Sequence, residues 1–230
     1  MSAVRRRTLL PAALVAAALA LAACGGSSSS SSSTTTSSSS STTAAPSTTT
    51  TTLTPAVEGA LRALLLSPSD FAAGWTADSS IGADTAAGAP ACIVDIDGMK
   101  GSTARVGTLY RGPGDTVQAI ENAASYPAGQ AVPSVTALNA VFQACNNTTV
   151  TTGGSTVHLT VNPLDLPTYG DASFTGQIVT TAPTEEGNEV IYLNTAYVVK
   201  GNNGISLFWE STSSDTTEFR TVLERAVAKL

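Results

Sequence analysis

From Ser27 to Thr52 every position is Ser or Thr except Ala44, Ala45 and Pro46. Such a tract carries too little apolar surface to offset the entropy of ordering it, so it is expected to stay disordered. It separates a short leader from a stretch beginning near residue 55, and only that stretch can build a core. Its roughly 175 residues suffice for one domain with a real core and are too few for two comfortable ones. A flexible tract of this size reaches roughly 30 Å root-mean-square, which suits a tether. Its dense hydroxyls fit either a plain polar spacer or an O-glycosylated stalk.

The leader, residues 1–23, reads as a cleavable signal peptide. Arg5-Arg6-Arg7 gives a positive start, Leu9 to Leu21 an apolar run, and Ala22 and Ala23 a small-residue end. As a helix the apolar run would span about 20 Å, short of the roughly 30 Å of a bilayer core. Leu21-Ala22-Ala23-Cys24 resembles the bacterial lipobox, in which the cysteine thiol receives a diacylglyceryl group and becomes the first residue after cleavage. That resemblance implies a lipidated Cys24 opening a linker, residues 24–54, with two or more acyl chains giving stable anchoring. The expected address is the extracytoplasmic face of the cell membrane. The plainer alternative is a secretory signal with an incidental cysteine. Arg6-Arg7-Thr8-Leu9-Leu10 is a loose twin-arginine match, but the general secretory route is the expectation.

Removing the leader takes three arginines and leaves 8 basic against 17 acidic residues, a net charge of −9. That balance excludes the basic footprint of a nucleic-acid binder and offers no attraction to anionic lipid. With one histidine and three cysteines, most metal and histidine-based catalytic designs are also excluded.

Beyond the tract the pattern is helices early, strands late and a closing helix. Thr54-Pro55 supplies an N-cap hydroxyl and a proline at the first helical position. Val57, Ala60, Leu61, Leu64 and Leu65 then recur at helical spacing, with Glu58 and Arg62 as an i,i+4 pair. Ser67-Pro68-Ser69-Asp70 ends that helix and begins a turn carrying Phe71. A second helix is expected from Asp115, with Val117 and Ile120 on one side. A third is expected from about Ser134 to Cys145, with Val135, Leu138, Val141, Phe142 and Cys145 on one face. Asp215 caps the last helix, whose stripe is Phe219, Val222, Leu223, Ala226, Val227 and Leu230.

Strands are expected at 104–111, 156–161, 174–181, 190–200 and 205–209, the last three as a meander closed by the turn Gly201-Asn202-Asn203-Gly204. Alternation sends Trp209 to the core and Phe208 to the opposite face, where it either packs under other chain or lines a ligand cleft. The expected fold class is α+β: a twisted antiparallel β-sheet flanked by helices, a single domain over residues 55–230.

After lipidation of Cys24, two thiols remain in an oxidising compartment, and Cys92 with Cys145 most economically forms one bridge. His158 falls opposite Val157 and Leu159 and is expected to be exposed rather than ligating. Asp95-Ile96-Asp97-Gly98 lacks the further oxygen ligands of a calcium loop, and Glu185-Glu186-Gly187-Asn188 reads as a hairpin tip. No nucleophile elbow, P-loop, zincin or dinucleotide motif is present. No catalytic, cofactor or metal residue is assigned. A wall hydrolase using Asp95, Asp97 or Asp171 is the enzymatic alternative, and it would need two carboxylates about 5–9.5 Å apart.

The chain resembles the actinobacterial lipoproteins that carry a PknH-like extracellular sensor domain. The resemblance rests on Ala63-Leu64-Leu65-Leu66-Ser67-Pro68-Ser69-Asp70-Phe71, on Pro90-Ala91-Cys92 and on Phe142-Gln143-Ala144-Cys145-Asn146-Asn147-Thr148. The Tyr169-Gly170-Asp171-Ala172 turn and the strand pair around Val198 to Leu207 extend it. It implies a sheet flanked by helices with a cleft for an extracytoplasmic ligand. Two features depart from the family: no cysteine lies between Val150 and Leu230, where the kinase domain has a second disulfide, and there is no kinase. Asp70-Phe71-Ala72-Ala73-Gly74-Trp75 also resembles the opening of mycobacterial lipoproteins with a PsbP-like fold. Both resemblances imply α+β and neither implies catalysis. The expected function is non-enzymatic binding or sensing of a small or lipidic ligand in the cell envelope, the alternative being a docking module for another envelope protein.

Overall fold

The structure is a computed structural model that describes residues 53–79, 99–152, 155–184 and 187–230. The leader, Cys24, the Ser/Thr tract to Thr52, Cys92, Asp95, Asp97, Glu185 and Glu186 lie outside the described residues.

Eight strands form one antiparallel sheet in the order β1-β2-β3-β8-β7-β6-β5-β4. They are β1 (Thr76–Asp78), β2 (Ala104–Arg111), β3 (Gln118–Ser125), β4 (Thr148–Thr152), β5 (Ser155–Pro163), β6 (Ala172–Thr184), β7 (Gly187–Lys200) and β8 (Asn203–Ser211). Three helices accompany them: α1 (Pro55–Arg62), α2 (Ala131–Ala144) and α3 (Thr217–Val227). The α+β class read from the sequence is the one observed.

Period-2 alternation gives each strand two working faces, and the two are packed by different helices. On the first face Val106, Tyr110, Ala119, Ala123, Ala196, Val198, Ile205, Leu207 and Trp209 meet Leu61 of α1 and Phe219, Val222, Leu223 and Ala226 of α3. On the second, Leu159, Val161, Ile178, Tyr197, Val199 and Phe208 meet Val135, Leu138 and Phe142 of α2. Each such Leu, Val or Phe contributes about 1.5–3 kcal/mol when fully buried. Phe208 therefore packs in the second core. Helix α2 seats against β6 because Gly176 has no side chain: a Cβ there would lie 2.5 Å from the Phe142 ring.

Helix α1 starts as the sequence predicts but stops at Arg62, short of Leu64 and Leu65. Thr54 Oγ1 accepts from Val57 N at 3.4 Å, and Arg62 Nε meets Glu58 Oε1 at 2.8 Å. Helix α2 begins at Ala131, three residues ahead of the expected Ser134, and Cys145 is its C-cap. Helix α3 has Thr216 in the N-cap position, while Asp215 Oδ1 accepts from Thr217 N at 2.9 Å. Strands β6 to β8 form the expected meander, which β5 extends by one strand, and each is longer than read from sequence. Lys200 pairs with Asn203 around a two-residue turn in which Gly201 has φ +62°.

The expected helix from Asp115 is absent. A single 3-10 turn, Pro113–Asp115, leads into β3, which pairs with both β2 and β8. Ala, Glu and Gln favour helix locally, but a central strand position with partners on both sides overrides that preference. Val117 and Ile120, placed together by helical spacing, pack against opposite cores. Strands β1 and β4 were not expected: the first is three residues long, and the second is mostly threonine.

Candidate functional site

Two regions stand out, one sealed and one open. The sealed region is the loop after α1. Asp70 Oδ2 accepts from Ser67 N at 2.7 Å and from Ser67 Oγ at 2.8 Å, closing Ser67-Pro68-Ser69-Asp70 on itself. Lys229 Nζ then donates to both Asp70 Oδ2 and Leu65 O at 2.9 Å, and Arg225 Nη1 donates to Asp70 O. Partial burial pushes the Asp70 carboxyl upward, but the Lys229 ammonium and the Ser67 donors win and hold it at about 2. Phe71, next in the chain, stacks on Trp75 at 4.6 Å and leans on Tyr110 at 4.7 Å, with Trp75 on Trp209 at 5.1 Å. The Ser-Pro-Ser-Asp-Phe run is thus a structural clamp between α1, the sheet and the chain end after α3.

Beneath the clamp lies Glu121 of β3, fully buried. Its Oε2 accepts from Leu66 N at 2.7 Å, and its Oε1 has no hydrogen-bond partner. Tyr110 Oη sits 2.7 Å from Leu66 O and 3.2 Å from Glu121 Oε2. The Tyr110 hydroxyl is the donor in both contacts, its one proton shared between the Leu66 carbonyl and the Glu121 carboxyl. Burial pushes the Glu121 carboxyl up to about 7, against the pull of Leu66 N, the Tyr110 hydroxyl and Lys229. Burial also pushes the Tyr110 hydroxyl up, helped by the Glu121 charge. A carboxyl so enclosed cannot reach a substrate; it holds Leu66 in place. A shallow depression of about 190 Å³ flanks the clamp, lined by Phe71, Ala72, Glu218, Thr221, Val222 and Arg225.

The open region is the part of the first sheet face on β5, β6 and β7 that lies away from α1 and α3. Register aligns its side chains in three rows. His158, Thr181 and Val190 form one row; Thr160, Val179 and Tyr192 form the next. Asn162, Gln177 and Asn194 form the third, which runs on to Trp209 at the edge of the core. The first two rows and Asn162 are partly or fully exposed, whereas Gln177 and Asn194 are buried. Gln177 Nε2 donates to Asn194 Oδ1 at 2.9 Å, while the buried Asn194 Nδ2 has no hydrogen-bond partner.

The residues singled out from sequence scatter. His158 is exposed on β5, as expected, opposite Thr149 and Thr181. Asp171 is structural: its Oδ2 accepts from Gly201 N at 2.7 Å, and its own N–H donates to Val199 O at 2.8 Å. It pins the Tyr169–Ala172 turn to the β7–β8 hairpin. Cys145 is fully buried and is not a free thiol; its expected partner Cys92 lies outside the described residues. Glu185 and Glu186 do too, although Thr184 and Gly187 on either side of them pair as a hairpin tip requires. Among the described residues no three His, Cys, Asp or Glu side chains converge as a metal site, and no helix is long and apolar enough to cross a membrane.

Sequence reasoning missed Glu121. Its signal was available in Gln118-Ala119-Ile120-Glu121-Asn122-Ala123, where strand alternation puts the acid in line with Ala119 and Ala123 on a core face. The helical reading of that stretch hid it.

A single antiparallel sheet covered on one face by two helices and on the other by a third defines the class of fold. The chain is similar in fold to the crystal structure of the extracellular domain of PknH from Mycobacterium tuberculosis. The TM-score is 0.53 at 18% identity, over 75% of this chain and 95% of that one. No family model matches the chain, and no curated protein matches it.

Proposed function

We propose that this chain is a non-enzymatic, lipid-anchored envelope protein whose domain binds a ligand on the extracytoplasmic side. The observation that carries the reading is the match to 95% of an extracellular domain, in a chain that otherwise consists of a signal-like leader, Cys24 and a Ser/Thr tract. Cys24 holds the acyl chains, the tract supplies reach, and Cys92 pairs with Cys145 as a structural bridge. The fully buried Cys145 at the end of α2 supports that pairing.

The geometry supports recognition over a surface. The depression beside the clamp is below the roughly 300 Å³ at which small-molecule sites begin. The open β5–β7 face bears amides and hydroxyls, which suits a polar ligand better than an acyl chain. The second reading is a docking module for another envelope protein.

Native mass spectrometry of the full chain in detergent, purified from its membrane and compared with the denatured chain, tests the proposal. The expected result is acylation that disappears in Cys24→Ser together with a non-covalent mass lost on denaturation. An unacylated chain found in the cytoplasmic fraction would overturn it.

A further inference from the structure

We propose that the open face of β5, β6 and β7 is a binding site for a neutral glycan chain, an inference that rests on the binding-module reading above. The first observation is charge. In a mature chain of net charge −9, the three rows contain no Asp, Glu, Lys or Arg. A nucleic acid, an acidic polysaccharide or a charged peptide finds no counter-charge there.

The second observation is the kind of group displayed. Thr160 and Thr181 offer hydroxyls that both donate and accept, and Asn162 offers an amide that does the same. That two-way capacity matches the hydroxyls of a sugar, each of which also donates and accepts. Tyr192, partly exposed at the centre of the β7 edge of the grid, supplies a ring against which the C–H face of a sugar can lie while its hydroxyl stays wet.

The third observation is pre-organisation. Strand spacing makes the three-by-three grid roughly 10 by 13 Å, the footprint of a short oligosaccharide. Two of the three amides of its inner row, Gln177 and Asn194, are tied by a hydrogen bond of 2.9 Å, so that floor needs little ordering on binding. A protein partner would require apolar anchors at the centre of the patch. Val179 and Val190 are the aliphatic residues of the grid, and both are small and sit beside threonines.

The test is affinity electrophoresis of the full chain in detergent through gels containing a linear α-glucan, a β-glucan, a mannan, a galactan or an arabinan, with a polyuronate as the acidic control. Retardation by at least one neutral polymer and none by the polyuronate is expected. Tyr192→Ala and Asn162→Ala should each weaken it about tenfold, while Val132→Ser, an exposed α2 position, leaves it unchanged. No retardation by any neutral polymer overturns the proposal, as does full retardation in Tyr192→Ala. Should Tyr192→Ala unfold, Asn162→Ala and His158→Ala, both at exposed positions, decide in its place. A photo-crosslinker at Asn162 separates the two levels. A defined protein adduct without glycan binding refutes the glycan and keeps the binding module, and neither adduct nor glycan refutes both.

Discussion

Replacing Glu121 by Gln should flatten the pH dependence of stability between pH 5 and 8. The carboxyl is fully buried, with Oε1 unpartnered and Oε2 held by Leu66 N, and burial raises it from 4.5 to about 7. The groups that face it are Tyr110 from β2, Asp70 from the clamp and Lys229 from the chain end; Asp70 pushes it up, and Lys229 and the Tyr110 hydroxyl pull it down. A raised folded-state value means the native state binds the proton more tightly than the unfolded chain. The resulting stability is complete below about pH 4.5 and is lost as pH rises through about 7. At 1.36 kcal/mol per unit, the loss from pH 5 to pH 8 is roughly 2.5 kcal/mol. Gln keeps the shape and removes the proton. Its carbonyl can still accept from Leu66 N, but its NH2 is left where Oε1 now lies, at a cost of about 1–3 kcal/mol.

Denaturant midpoints of the full chain at pH 5, 6, 7 and 8 read this directly, because the slope with denaturant reports surface area and should not change. Wild type should lose stability steadily across the series. Glu121→Gln should start lower at pH 5 and converge with or overtake wild type by pH 8. Glu210 is also raised, first by burial and then by Glu189, against the Gln118 hydrogen bond. It contributes the same sign in both proteins, so the difference between the curves isolates Glu121. Parallel curves would refute the reasoning.

Gly176→Ala should destabilise by about 1–3 kcal/mol, because its Cβ would overlap the Phe142 ring and lift α2 from β6; thermal unfolding with retained strand signal checks it. Asp70 has the opposite sign: it is held at about 2, so its stability is present above pH 3.8 and lost as pH falls toward 2. After discounting for solvent screening, Asp70→Asn should remove about 1 kcal/mol at pH 7 and only a small part of that at pH 2, measured by urea unfolding. Reducing a Cys92–Cys145 bridge, which closes a loop of about 54 residues, should cost roughly 4 kcal/mol. A midpoint unmoved by reductant, or two alkylatable thiols in the native chain, would count against the pairing.

What could be read from the chain, and what could not, divides by the range of the interactions responsible. Thr54, Pro55, Glu58 and Arg62 act within one helical turn, and each sits where its local chemistry predicts. The β6–β8 meander is also local, since Gly201 and Asn202 need only their own hairpin. Strand β3 is different. Its partners, Ala104 to Arg111 and Asn203 to Glu210, are brought in by the rest of the sheet, and nothing within Gln118–Ser125 announces them. With β3 misread, Glu121 had no face to be buried on, and the family motif at Ser67–Phe71 had no partner to explain it. The same motif that suggested a sensor domain is the lid over that carboxyl. Resemblance at Ser67–Phe71 therefore reports how α1 is fastened to the sheet and carries no information about ligand. Recognition has to be sought where packing imposes least, and on the described sheet that place is the exposed part of β5, β6 and β7.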